Sequence, residues 1–168
     1  MATINNLEEL LVDQLRDLYN AEIQLTKALP KMAKAATEPA LKQAFQTHLA
    51  ETEEQIERLE QIFEELDESP KGKKCKAMEG LIEEGKELME EDAEPEVMDV
   101  GLIGAAQKVE HYEIAGYGTV RTYAQLLGNE EAASLLQQTL DEEGMTNKKL
   151  NDLAVQCINV EAEGGDGQ

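Results

Sequence analysis

Four long stretches of this chain repeat their apolar residues at steps of three and four, a spacing that permits little except packed helices. In the first, Leu7, Leu11, Leu15, Leu18, Leu25, Leu29 and Met32 share one face, interrupted by Glu22. Asn5 or Asn6 can cap its start, and Glu8 and Glu9 fall where the helix dipole favours negative charge. Pro30 predicts a kink or a break near its end. The second stretch runs from about Glu38 to Leu66, with Thr37 as cap and Pro39 in its first turn. Its stripe holds Leu41, Phe45, His48, Thr52, Gln55 or Ile56, Leu59 and Ile62. The third uses Val97, Val100, Ile103, Ala106, Glu110, Glu113, Tyr117, Val120, Ala124 and Leu127. The fourth uses Leu136, Thr139 or Leu140, Glu143, Leu150, Leu153 and Cys157. No alternating run and no Asn-Gly hairpin signal competes with these helices.

The connections narrow the topology. Tight turns join the first helix to the second, and the third to the fourth through Gly128 as a stop and Asn129 as the next cap, so each pair forms an antiparallel hairpin. Between the pairs lies "DESPKGKKCK" and a short amphipathic helix from about Ala77 to Glu91, with Met78, Leu81, Ile82 and Leu88 apolar. A link of that length allows a crossover, with the second and third long helices parallel. The fold class is therefore all-α: a ferritin-like four-helix bundle with one long crossover that carries a short extra helix. One domain is expected over residues 1–160, followed by an acidic, Gly-rich disordered tail over 161–168.

Charge excludes several partners. The chain has 36 acidic and 15 basic residues, a formal net charge of -21. Phosphates would be repelled, which argues against nucleic acid and against an anionic membrane surface. No apolar run is long enough to span a bilayer, and a cytoplasmic location is the expectation. Such acidity fits attraction of cations and fits a high-salt environment equally well. Cys75 and Cys157 stand in no metal-binding spacing and are expected to be free thiols.

The unusual feature is carboxylates on core stripes. Glu22 breaks one stripe, Glu110 and Glu113 a second and Glu143 a third, while Glu51 flanks the stripe one turn after His48. An unpaired buried carboxylate costs several kcal/mol. Four or five together would exceed the roughly 5–15 kcal/mol that stabilises a domain. These groups must therefore be protonated, paired with cations or bound to metal. Pairing would fall to the three arginines, Arg16, Arg58 and Arg121, each within a couple of turns of the acids. The alternative is a dinuclear metal site with carboxylates from facing helices. The two halves also match faintly. Glu22 aligns with Glu113, Glu51 with Glu142, and Thr52 with Glu143.

The stretches "LYNAEIQLTKALPKMAKAA", "HLAETEEQIERLEQIF", "AQKVEHYEIAGYGT" and "LLQQTLDEE" resemble the YciF/YciE-like branch of the ferritin-like superfamily, from about residue 5 to 158. The most specific piece is "VEHYEIAGYG", Val109 to Gly118. The resemblance implies a bundle with a di-iron type site, a homodimer and a stress-associated role. The general ferritin-like pattern places a lone Glu on the first and third helices and Glu-x-x-His on the second and fourth. Glu22 and Glu113 match the lone acids, with Glu110 as an extra ligand. Glu51 matches the second-helix acid, with Glu54 where His would stand. Glu143 or Glu142 matches on the fourth, with Thr146 or Met145 in place of His. His48 can ligate or hydrogen-bond Glu51, His111 points away from the stripe, and Tyr19 and Tyr117 can donate hydrogen bonds to Glu22 and Glu113.

The expected metal ligands are thus Glu22, Glu51, Glu54, Glu110, Glu113 and Glu143, holding a divalent pair, iron or manganese. Without imidazole such a site would favour harder cations, including magnesium and calcium. The expected function is a di-metal carboxylate protein acting in stress, by redox chemistry or peroxide scavenging. The competing reading is a scaffold bundle whose interior acids pair with arginines. Iron storage needs a closed shell that nothing in the sequence indicates, and DNA protection would want a basic tail. A homodimer is expected because the crossover helix carries an apolar stripe that must be covered.

Overall fold

The computed structural model describes residues 4–155. Five helices follow one another, α1 (Leu7–Ala35), α2 (Pro39–Glu65), α3 (Lys76–Glu90), α4 (Pro95–Leu126) and α5 (Glu130–Leu153), and there is no strand among the described residues. The final tail and Cys157 lie outside them.

Local chemistry sets the helix ends. The Asn6 side chain accepts the Glu9 N–H at 2.8 Å and starts α1. Pro30 neither breaks nor ends α1, which continues to Ala35; the ring sits on the exposed face, where loss of one N–H is tolerated. Thr37 does not cap α2. Glu38 does, and the N–H groups of Thr37 and Glu38 donate to the two carboxylate oxygens of Asp99 on α4, at 2.7 and 2.8 Å. The Cys75 thiol accepts the Met78 N–H and caps α3. Gly128, at φ +75°, closes α4, and Asn129 caps α5 by accepting the Ala132 N–H at 2.9 Å.

These contacts also fix direction. Asp99, near the start of α4, meets the turn between α1 and α2, so α4 starts where α2 starts and the two run parallel. At the other end Asn129 donates to Glu65, which joins the α4–α5 turn to the end of α2. Around the bundle the order is α1, α2, α5, α4, each packed on its two neighbours. Gly116 lets α1 and α4 approach closely; a Cβ there would lie 2.7 Å from Leu18 Cδ2.

The crossover is pinned to α1. Arg16 donates to the Ser69 carbonyl and to Glu68, both at 2.8 Å, and Asn20 accepts the Cys75 N–H at 2.8 Å. Helix α3 lays its apolar stripe on α1 and α4 of its own bundle, burying Met78 and Gly85. Leu81, Ile82 and Leu88 of the same stripe stay half-buried.

The interior has three levels. One apolar cluster gathers Leu25, Leu29, Met32, Phe45, Met78 and Ile103 toward one end, and another gathers Leu11, Leu15, Ile62, Phe63, Val120 and Leu136 toward the other. Between them lies a layer of buried polar side chains.

Candidate metal centre

Each long helix contributes to that layer. Glu22 comes from α1, His48, Thr52 and Gln55 from α2, Glu110 and Glu113 from α4, and Thr139 and Glu143 from α5; all are at most 3% exposed. His48, Glu110, Glu113 and Glu143 each bring a ligand atom within 4.8 Å of the others, a group that can hold a metal ion. His48 Nε2 stands 3.1 Å from Glu110 Oε1 and 3.9 Å from Glu143 Oε2. The 3.1 Å contact is an ion-pair distance, but it lies off the N–H axis, so the imidazole nitrogens keep no aligned hydrogen bond.

The surrounding side chains hold one oxygen of a carboxylate and leave the other free. The Tyr117 hydroxyl donates to Glu22 Oε1, and Glu22 Oε2 has no partner. The Gln55 amide donates to Glu143 Oε1 at 2.6 Å, and Glu143 Oε2 has no partner. Glu110 Oε2 and both oxygens of Glu113 are likewise buried with no amide, hydroxyl or basic donor, though Glu113 lies within hydrogen-bond reach of Glu22 and Glu110 of Glu143. Buried polar atoms are almost always satisfied. A cluster of orphaned carboxylate oxygens beside an imidazole is the donor set that a divalent cation satisfies, so the residues present fit a metal.

Electrostatics agree. Burial pushes the Glu22 carboxyl up to about 7, against the hydrogen bond from Tyr117 and the nearby His48. Burial also raises Glu113 well above the usual carboxylate range, reinforced by the charges of Glu22, Glu143 and Glu110. Glu143 rises for the same reason, with contact to Glu110 adding to it. Burial works to lower His48, but Glu110, Glu51 and Glu143 outweigh it and hold its pKa well above the ordinary histidine value. Without metal, protons take up the charge that metal would balance.

Several expected ligands lie elsewhere. Glu54 is on the outer face, its side chain 69% exposed, 3.5 Å from Arg58. Glu142 faces Arg58, which grips both of its oxygens at 2.7 Å. Glu51 is one-third exposed and sits behind His48, 3.6 Å from Nδ1, with Thr146 donating to it at 3.3 Å. It orients the ring rather than reaching the centre. Tyr19 donates to Glu60, not to Glu22. His111 is exposed, as expected. The centre is not all-oxygen, because His48 faces it, and the expected preference for harder cations loses its premise.

Arginine pairing does not account for the layer either. Arg16 binds the crossover and Arg58 binds Glu142 and Glu54. Arg121 makes no ion pair among the described residues, and its buried Nε has no partner.

Relatives carry the same architecture. The DUF892 family, described only as a domain of unknown function, matches residues 6–163. The chain belongs to this family. Protein YciF of Escherichia coli K12 is 51% identical over 161 residues, covering 95% of this chain and 97% of that protein. The crystal structure of the Escherichia coli stress protein YciF superposes with a TM-score of 0.90, covering 93% of this chain and 99% of that one. The solved structure of YcfI from Rhodopseudomonas palustris is 47% identical, with a TM-score of 0.86, covering 88% of this chain and 94% of that one. A Xanthomonas campestris protein, 22% identical with a TM-score of 0.75 over 95% of this chain and 98% of its own, shares the fold. No helix of the described residues is long and apolar enough to cross a membrane.

Within this DUF892 member, reading the sequence for ligands missed Gln55 and Thr52. Both stand on the α2 stripe three residues apart, one position later than Glu51 and Glu54. The faint repeat held the signal. It aligns Thr52 with Glu143, both fully buried, and Glu51 with Glu142, both at the rim.

Proposed function

We propose that this protein holds a pair of divalent metal ions, iron or manganese, in the mid-bundle layer, and that it serves in stress by redox chemistry or peroxide removal. The observation that carries the reading is the gathering of buried, unpartnered oxygens of Glu110, Glu113 and Glu143 about the His48 imidazole, with the unpartnered oxygen of Glu22 buried in the same layer. The printed description of the Escherichia coli relative as a stress protein supports the physiological half of it.

Glu22, His48, Glu110, Glu113 and Glu143 are the residues that would hold the pair. A redox-active pair would supply electrons to dioxygen or a peroxide. The chain itself orients and shields. Tyr117 and Gln55 each fix one oxygen of a carboxylate and direct the other inward. Glu51 and Thr146 hold the far side of the His48 ring. The two apolar clusters seal the layer above and below from bulk water. Binding must displace protons from Glu22, Glu113, Glu143 and His48, so affinity rises with pH.

The test is metal-dependent melting of chelator-treated protein, with manganese or anaerobic ferrous iron, alongside elemental analysis. The wild type should gain about 2.7 kcal/mol at a hundredfold excess of metal over its dissociation constant, with two ions per chain. Glu113→Gln should lose most of that gain. A wild type that gains nothing from either metal ends the proposal, and one ion per chain ends the pair.

A further inference from the structure

Away from the polar layer, α1, α3 and α4 line a cavity of about 230 Å³ that is open to solvent on one side. Its walls are apolar: Leu25 and Met32 from α1, Leu81, Ile82 and Met89 from α3, with Ala105 and Val109 of α4 as the floor. Small residues create the space. Gly85 on α3 faces Ala105, to which a Cβ at Gly85 would come within 3.8 Å, and Ala28 stands on the α1 side.

The rim is basic in a chain of net charge -21. Lys27, Lys31 and Lys86 line the mouth, and all are exposed. Lys86 has only loose contacts within its own helix, to Glu83 at 3.6 Å and Glu90 at 3.9 Å. Lys27 and Lys31 make no ion pair among the described residues. They stand four apart on one face of α1, and no acid lies three or four positions from either on that helix. Like charges at that spacing oppose helix stability, so the helix itself gives no reason to place them together. Their aliphatic stems can line the mouth while the ammonium groups stay in water above it.

We propose that this cavity binds a small amphipathic anion, an unbranched alkyl chain with a carboxylate head, with the chain between α1 and α3 and the head among Lys27, Lys31 and Lys86. Charge complementarity selects this occupant. The volume is slightly below the range of pockets for drug-sized ligands, which points to a medium-length chain.

The probes are octanoate, octanol and octyltrimethylammonium, titrated into the full chain by calorimetry. Octanoate should saturate one site with a dissociation constant at or below roughly 1 mM, within the efficiency open to small ligands. Octanol should bind at least about tenfold more weakly, and the cation should not saturate. The overall negative charge disfavours octanoate, so a preference for it must come from the lysines. Lys27→Gln, Lys31→Gln and Lys86→Gln together should erase the preference and leave octanol binding unchanged. Ala105→Leu should fill the floor and abolish octanoate binding. Should Ala105→Leu fail to fold, the octanoate-to-octanol ratio of the lysine variant still decides. No saturable octanoate binding, equal affinity for octanol, or a preference that survives loss of the lysines would overturn the proposal. So would light scattering that shows a dimer broken by Ala105→Leu, which would assign the cavity to a second copy.

Discussion

Glu142 and Glu143 are consecutive on α5, yet they meet the problem of a desolvated carboxylate in opposite ways. Glu142, about one-fifth exposed, receives a fork of two 2.7 Å hydrogen bonds from Arg58. Glu143, fully buried, receives one neutral amide from Gln55 and keeps an oxygen with no partner. The first arrangement gives each carboxylate oxygen a charged donor, with the Gln55 amide adding a third hydrogen bond to Oε2 at 3.1 Å. The second leaves acceptor capacity pointed at Glu110, Glu113 and His48. A structural ion pair and a binding site can thus stand one residue apart, separated by which face of the helix each side chain takes.

The contrast is sharpest in pH dependence. In chelator-treated protein Glu22 keeps its proton up to about 7 when folded, against 4.5 when free. The folded state therefore binds more protons across that window, and ionisation works against the fold. Stability is fully present below about 4.5 and falls as pH rises through 7, by roughly 3 kcal/mol for this one group. Glu113, Glu143 and His48, all raised, act in the same direction. Glu51, lowered mainly by its contact with His48, acts in the other. Urea unfolding at about pH 5 and about pH 8 reads the difference. Glu22→Gln should reduce it without abolishing it, because Glu113, Glu143 and His48 remain, and a wild type that gains stability on going to the higher pH contradicts the raised values.

Breaking the clamp should cost less. Arg58→Met leaves Glu142 near water with only the 3.1 Å hydrogen bond from Gln55, a loss of about 1–2 kcal/mol. Metal affinity should stay within a few-fold. If metal binding collapses together with the fold's stability, Glu142 belongs to the centre after all.

Removing the amide next to Glu143 tests the other side. Gln55→Leu keeps the bulk but frees Glu143 Oε1, and should weaken metal binding by about tenfold, the scale of lost support behind a ligand. An unchanged affinity would mean that Gln55 only fills space.

The smallest effect belongs to Glu54, which the Glu-x-x-His pattern nominates and the fold exposes. Glu54→Gln should shift stability by no more than about 0.5 kcal/mol and leave metal binding alone, as read by the same melts. A large loss of metal would require a rearranged α2.

The sequence by itself determined the helices and their topology. Apolar residues at helical spacing mark the buried face whatever that face packs against, so Leu11, Leu25, Leu59, Val120 and Leu136 could be assigned to the core without knowing their neighbours. The same logic exposed Glu22, Glu110, Glu113 and Glu143, because a charge on that face is an anomaly visible in one helix alone. What only the tertiary structure decided is which side chains converge. The α2 stripe already turned Thr52 inward and set Glu51 beside it, but only packing brings the Gln55 amide to Glu143 across the bundle and leaves Glu54 outside. A single helix step is about 100°, so a one-residue error in register exchanges a ligand for a surface acid. The Asp99 clasp across the α1–α2 turn, the Arg58 fork on Glu142 and the approach of His48 to Glu110 likewise join residues from different helices. Their partners are fixed by packing, which no spacing within one helix encodes.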